Sequence, residues 1–169
     1  MRSSERDRFR QFVTESSPAL YRVAVALTGG HHAAEDLLQD CLARTFVRWS
    51  TVRGDPGVYV RRAMYHAQVS VWRRRRLVRE LPADAVPEPT DRRDDVGATD
   101  RRLALRQALL RLGPRQRAVL VARYFEDLSE QDTAELLGCS TGTVRSQTHR
   151  ALARLRELAP ELREDTRTI

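Results

Sequence analysis

Residues 130–158 read EQDTAELLGCSTGTVRSQTHRALARLREL, and three markers in this stretch decide the fold. Ala134 is followed four positions on by Gly138, and Gly138 six positions on by Val144. A helix-turn-helix needs a small residue where its two helices touch, a glycine at the tight turn and an apolar anchor in the second helix. The spacing therefore predicts a first helix over 130–137, a turn over 138–140 and a second helix over 141–157, with Leu136, Leu137 and Leu152 adding core. Thr141, Thr143, Arg145, Ser146, Gln147, His149 and Arg150 then lie on the outward face near the start of the second helix. Their hydroxyls, amide, imidazole and guanidinium groups suit base edges and phosphates in a major groove.

Working outward, the charge falls into three blocks. Residues 1–80 carry 15 Arg and 8 acids, residues 81–100 carry 2 Arg and 6 acids, and residues 101–169 carry 13 Arg and 9 acids. All 30 basic residues are arginine, and the net charge is +7. A surplus of permanently charged guanidinium groups points to a polyanionic partner. The acidic strip LPADAVPEPTDRRDDVGATD, with three of the seven prolines and no long apolar run, can neither build a core nor continue a helix. It reads as a flexible linker over 81–100. A chain of 169 residues divided in this way holds two small cores, which excludes a large enzyme.

The first block also reads as helices. Phe9, Phe12 and Val13 begin an apolar stripe that Pro18 is expected to interrupt, Leu20, Val23, Ala24 and Leu27 resume it, and Thr28-Gly29-Gly30 is a stop signal. In residues 32–49, Leu38, Leu42 and Phe46 recur at spacings of four with Leu37 and Cys41 alongside, while Glu35, Asp36, Gln39 and Asp40 occupy the other face. An amphipathic helix with a solvated acidic face accounts for this pattern, yet the acids stand inside a block of net charge +7.

After the turn-formers STVRGDPG over 50–57, helical spacing resumes through Val60, Met64 or Ala63, Ala67 and Val71. Arg61, Tyr65, Gln68, Trp72 and Arg76 form a second stripe on that helix, joined at its end by Arg73, Arg74 and Arg75. Cations that track phosphates and rings that stack on unpaired bases are what single-stranded DNA binding requires. The alternative stays open at this point: Tyr65 and Trp72 as core residues, and the arginine run as a solvated helix end favoured by the macrodipole.

No apolar run is long enough to span a bilayer, and none of signal type follows the N-terminus, so a cytoplasmic chain without membrane insertion is expected. A disulfide between Cys41 and Cys139 is not expected in a reducing compartment. His31 and His32 point to different sides of a helix and have no partner at ligand spacing, so no metal site is read, and no cofactor motif is present.

Taken together, AEDLLQDCLARTFVRW (34–49), YVRRAMYHAQVSVWRRRR (59–76) and the stretch from Leu112 to Arg156 resemble an extracytoplasmic-function, or group IV, sigma factor of bacterial RNA polymerase, a minimal member of the sigma-70 superfamily. The resemblance covers nearly the whole chain. It implies an all-α fold of two small helical domains, region 2 over 1–80 and region 4 over 101–169, joined by the acidic linker. It further implies a non-enzymatic initiation factor whose Glu35, Asp36, Leu38, Gln39, Asp40 and Leu42 face the clamp helices of the polymerase largest subunit, with the flap of the second-largest subunit as a further contact. The loop from Ser50 to Pro56, including Arg53, would take a flipped base of the −10 element. Arg61, Tyr65, Gln68, Trp72, Arg73, Arg74, Arg75 and Arg76 would hold the melted strand, and Thr141, Thr143, Arg145, Ser146, Gln147, His149 and Arg150 would read the −35 duplex. Gln147 departs from the arginine that many relatives carry there. No sensory module is read in the chain, so an anti-sigma factor, or control of the gene's own transcription, would regulate it.

Two other readings stand beside this one. A stand-alone helix-turn-helix regulator would use residues 1–80 to dimerise on a palindromic duplex. A nucleic-acid enzyme would need clustered carboxylates, a nucleophilic lysine or a zinc set, and the sequence offers none of these.

Overall fold

A computed structural model describes residues 3–79 and 100–160, with the side chains of residues 3, 71–79, 100 and 101 outside the description; the linker reading, all but its last residue, falls on residues outside it. The described residues form seven α-helices and no strand. In chain order these are α1 (Ser3–Thr28), α2 (His31–Val47), α3 (Pro56–Arg79), α4 (Asp100–Leu110), α5 (Pro114–Leu120), α6 (Glu130–Leu137) and α7 (Thr141–Leu158), with a 3-10 turn over Trp49–Thr51 and a π-helical turn over Val121–Phe125.

The first helix corrects the expectation at Pro18, because α1 runs through it without a break. A proline inside a helix removes one hydrogen bond and crowds the preceding turn. Packing on both sides outweighs that cost: Phe9 and Phe12 lie 5.0 and 5.4 Å from the Trp49 ring, and Leu20, Val23, Ala24 and Leu27 are buried. The stop at Gly29 is as read. Its φ of +79° suits glycine, its N–H closes on the Val25 carbonyl at 2.7 Å, and α2 starts two residues later. Asp55 starts α3, accepting the Gly57 N–H at 2.7 Å ahead of Pro56 in the first turn. Helices α1, α2 and α3 pack on one another around Leu20, Val23, Leu27, Leu38, Cys41, Val60, Met64 and Tyr65.

The second half is built by local signals. Ser129 caps α6 by accepting the Asp132 N–H at 3.0 Å, and Ser140 caps α7 by accepting the Thr143 N–H at 3.1 Å. Between them Gly138 takes the left-handed conformation, φ +66° and ψ +44°. Val144 and Ala134 are buried with Val119, while Leu112, Leu120 and Ala151 make a neighbouring cluster. Replacing Gly138 by Ala adds a Cβ that meets only ordinary contact, 3.6 Å from His66 Cε1, so the cost is that of the left-handed backbone, about 1–2 kcal/mol. Thermal unfolding of G138A is expected several degrees below the parent; an unchanged midpoint would contradict the reading of this turn.

The two helical groups are packed against each other. Ala118, Val121, Ala122 and Leu136 of the second belong to the same buried cluster as the core of the first. Arg117, itself buried, donates to the Leu27 carbonyl at 3.1 Å and to the Leu112 carbonyl at 3.4 Å, and Arg106 Nε donates to the Gly29 carbonyl at 2.9 Å. Both reach carbonyls at the C-terminal end of α1, where a helix dipole favours a cation.

The cysteines occupy contrasting places. Cys41 is buried in the core and burial pushes its thiol up to about 11, whereas Cys139 is exposed beside Gly138. At pH 8 an aromatic disulfide reagent should titrate Cys139 in the folded chain and reach Cys41 only on denaturation. Two equally fast thiols would contradict the packing of α2.

Candidate nucleic-acid interface

Three surfaces carry the residues singled out by the sequence. On α2, Glu35, Asp36, Gln39 and Asp40 are all exposed, consistent with one polar face of an amphipathic helix. Arg44 lies 3.5 Å from Asp40 and His32 lies 4.0 Å from Glu35, both solvent-exposed pairs of little energetic weight. Leu38 corrects the expectation for this surface: it is buried in the core, on the side of α2 that faces α1 and α3, and has no area to offer a partner. Leu42 is half-buried against the same core. The apolar area at this surface comes instead from Val47, 82% exposed, and Phe46, 39% exposed with its edge against Phe9 at 4.9 Å. Sequence reading assigned Phe46 to the core stripe and passed over Val47, although Val47 stands seven positions after Asp40 and so shares its face.

On α3 the expected DNA stripe divides. Arg53, in the preceding loop, is exposed. Tyr65 is a correction: it is fully buried, and its hydroxyl donates to Glu126 Oε1 at 2.6 Å. Burial and that bond hold the phenol protonated, so in this arrangement Tyr65 is a core residue with a satisfied hydroxyl, and its ring has no open face for a base. Arg61 Nε lies 2.7 Å from Glu126 Oε2, an ion pair in which the N–H is not aligned on the oxygen. Gln68 is half-buried and donates to the Leu27 carbonyl at 3.2 Å. The helix continues through Trp72, Arg73, Arg74, Arg75 and Arg76, whose side chains lie outside the described residues. The solvent-facing stripe of α3 is Arg62, His66 and Ser70, which the sequence reading missed.

On α7, Thr143, Arg145, Ser146, His149 and Arg150 are exposed, and Thr141 and Gln147 are half-exposed. The caps at Ser129 and Ser140 and the tight turn at Gly138 fix the angle at which α7 leaves α6 and presents this face. Arg145 is held by Glu130 of α6, with Nη2 to Oε2 at 2.7 Å and Nε to the same oxygen at 3.2 Å. The hydrogen bond from Arg145 holds the Glu130 carboxyl below the usual carboxylate range. A depressed carboxylate contributes at neutral pH and loses its contribution as pH falls through its lowered titration range. Arg145, Glu130, Arg123, Asp127 and Thr141 border an open cavity on this side of the helix pair.

Among the described residues, no group of three His, Cys, Asp or Glu side chains could hold a metal ion, and no helix is long and apolar enough to cross a membrane. His31 Nδ1 is hydrogen-bonded with the Tyr21 hydroxyl at 2.8 Å.

The sequence matches the family described as Sigma-70 region 2 over residues 12–78 and that described as Sigma-70, region 4 over residues 102–155. It is 43% identical over 152 residues to the RNA polymerase sigma-E factor of Streptomyces coelicolor, a match covering 88% of this chain and 84% of the relative. It is 34% identical over 158 residues to the ECF RNA polymerase sigma factor SigE of Mycolicibacterium smegmatis, covering 87% of this chain and 60% of that one. Among solved structures, the sigma factor RpoE in complex with the anti-sigma factor NepR from Bartonella quintana is similar over 94% of this chain and 98% of its own, with a TM-score of 0.68 and 26% identity.

Proposed function

The chain belongs to the sigma-70 family, as a promoter-specificity subunit of RNA polymerase, and on that premise we propose how its surfaces divide the work of initiation. Residues 1–80 form the region 2 module and residues 101–169 the region 4 module, with 81–100 as the tether between them. Region 2 docks on the clamp helices of the polymerase largest subunit through Glu35, Asp36, Gln39 and Asp40, and Val47 and Phe46 bury apolar area beside them. Acids of this kind set the orientation and rate of docking, while the apolar centre supplies most of the affinity. Region 4 contacts the flap of the second-largest subunit and lays α7 in the major groove of the −35 element, where Thr141, Thr143, Arg145, Ser146, Gln147, His149 and Arg150 meet bases and phosphates.

The −10 element is opened by region 2. Arg53 and the loop before α3 receive an unstacked base, and the arginine run from Arg73 to Arg76 with Trp72, preceded by Arg62 and His66 on the same helix, tracks the melted strand. The chain catalyses nothing; bond formation belongs to the polymerase. Action on a cytoplasmic polymerase places the protein in the cytoplasm. The RpoE relative was crystallised with an anti-sigma factor, and a protein of that class is a partner of this chain too.

One observation supports this reading best: a single chain presents an exposed acidic and apolar face on α2 and an exposed cationic recognition helix α7, with 88% of its length aligned to a sigma-E factor. A stand-alone dimeric regulator would not need the first of these faces. The test is capture of purified core polymerase by the immobilised chain. Stoichiometric retention is expected, and binding to a palindromic duplex with no retention of core would contradict the proposal.

A further inference from the structure

Glu126 is set apart from the other acids by its position. It leaves the π-helical turn, where the wide loop closes from the Glu126 N–H to the Val121 carbonyl at 3.0 Å, and the next residue, Asp127, takes a positive φ of +52°. Such turns interrupt regular helix at a cost and are found often at functional positions. Here the turn leaves Tyr124 and Phe125 exposed and carries Glu126 against α3, where its side chain is 8% exposed. Its two oxygens meet the Tyr65 hydroxyl at 2.6 Å and Arg61 Nε at 2.7 Å.

We propose that Glu126 is an internal stand-in for a DNA phosphate: in the free chain its carboxylate occupies Arg61 and Tyr65 of α3 and closes part of the single-strand track until polymerase or DNA displaces it. The inference rests on reading α3 as that track. A carboxylate with one oxygen accepting from a phenol and the other paired with a guanidinium stands where a backbone phosphate would take the same two groups. The same closure buries Arg117, whose Nε has no hydrogen-bond partner and whose guanidinium receives only carbonyl oxygens. A buried cation without a carboxylate opposes closure, and burial lowers its pKa to about 10. Glu126 adds its charge to a seam also held by Ala118, Val121, Ala122 and Leu136 and by the Arg106 and Arg117 hydrogen bonds, while the desolvated Arg117 opposes it, so loss of the carboxylate shifts the balance toward the open form.

The test uses the full chain. Glu126→Gln keeps the shape and removes the charge, and it should enlarge the radius of gyration in small-angle scattering and raise affinity for a short fluorescent oligothymidylate by about tenfold, the gain for a form open about a tenth of the time. Arg61→Glu should also open the chain, and R61E/E126R should close it again. An E126Q chain as compact as the parent overturns the proposal, as does expansion without a gain in oligothymidylate binding. If E126Q loses helicity by circular dichroism, the charge-swap pair decides: failure of R61E/E126R to re-close what R61E opens overturns it. Transcription by the parent chain with core polymerase tests the sigma-factor reading separately, whatever the variants do.

Discussion

Transcription by core polymerase reconstituted with D36R is expected to fall by about a hundredfold or more, with the chain still folded. Asp36 is exposed in the second turn of α2, and arginine is a good helix former, so helicity and melting should stay close to those of the parent. At the docking surface the change places a cation where the partner is proposed to present cations, and such a juxtaposition costs several kcal/mol. A hundredfold loss corresponds to about 2.7 kcal/mol. The loss should appear in capture of core polymerase as well as in transcript yield. Asp36→Asn removes attraction without adding repulsion and should lose less. Full activity of D36R would remove Asp36 from the docking surface.

Arg145→Ala is expected to act on a different step. The guanidinium stands at the exposed start of the recognition helix, already aligned by Glu130. A bidentate contact from it to a guanine would carry about 1–3 kcal/mol of discrimination. Competition between promoters that differ only in the −35 element should therefore compress by roughly ten- to a hundredfold in R145A, while capture of core polymerase is unchanged. Glu130→Gln should leave the contact in place and alter mainly how well the fork is oriented in advance. Uniform weakening on every promoter, with the ranking preserved, would make Arg145 a phosphate contact instead.

The second half of the fold was legible because its signals are local. The spacing of Ala134, Gly138 and Val144 predicted α6, the turn and α7 closely, and the caps that the structure adds at Ser129 and Ser140 also act on backbone groups within a few residues. The exposed acids of α2 were legible for a similar reason, since helical period alone separates them from the buried side. What failed depended on distant partners. Pro18 is a breaker by its own chemistry, and only aromatic packing around Trp49 together with the buried stripe from Leu20 to Leu27 holds α1 continuous across it. Leu38 and Leu42 look alike on a helical wheel, yet α1 and α3 cover the first fully and the second by half.

Tyr65 is the most instructive case. Its spacing from Arg61 and Trp72 suits a nucleic-acid stripe equally well as a core stripe, and in the packed chain it is Glu126, 61 positions away, that holds it in the buried arrangement. No pattern in residues 56–79 contains that information. Nor does any pattern around Glu126 announce a π-helical turn, because the sequence VARYF has no breaker and the wide turn is selected by packing against the first half. The two helical groups were each readable from their own periodicity; the buried seam that joins them was not.

The central claim is most directly tested by run-off transcription with purified core polymerase on a pool of promoters that includes the region upstream of the protein's own gene. Transcripts that arise only when the chain is added, from start sites sharing one −10 and one −35 sequence, are the predicted result. No transcript above the core-only background, in the presence of tight binding by the free chain to a palindromic duplex, would contradict it.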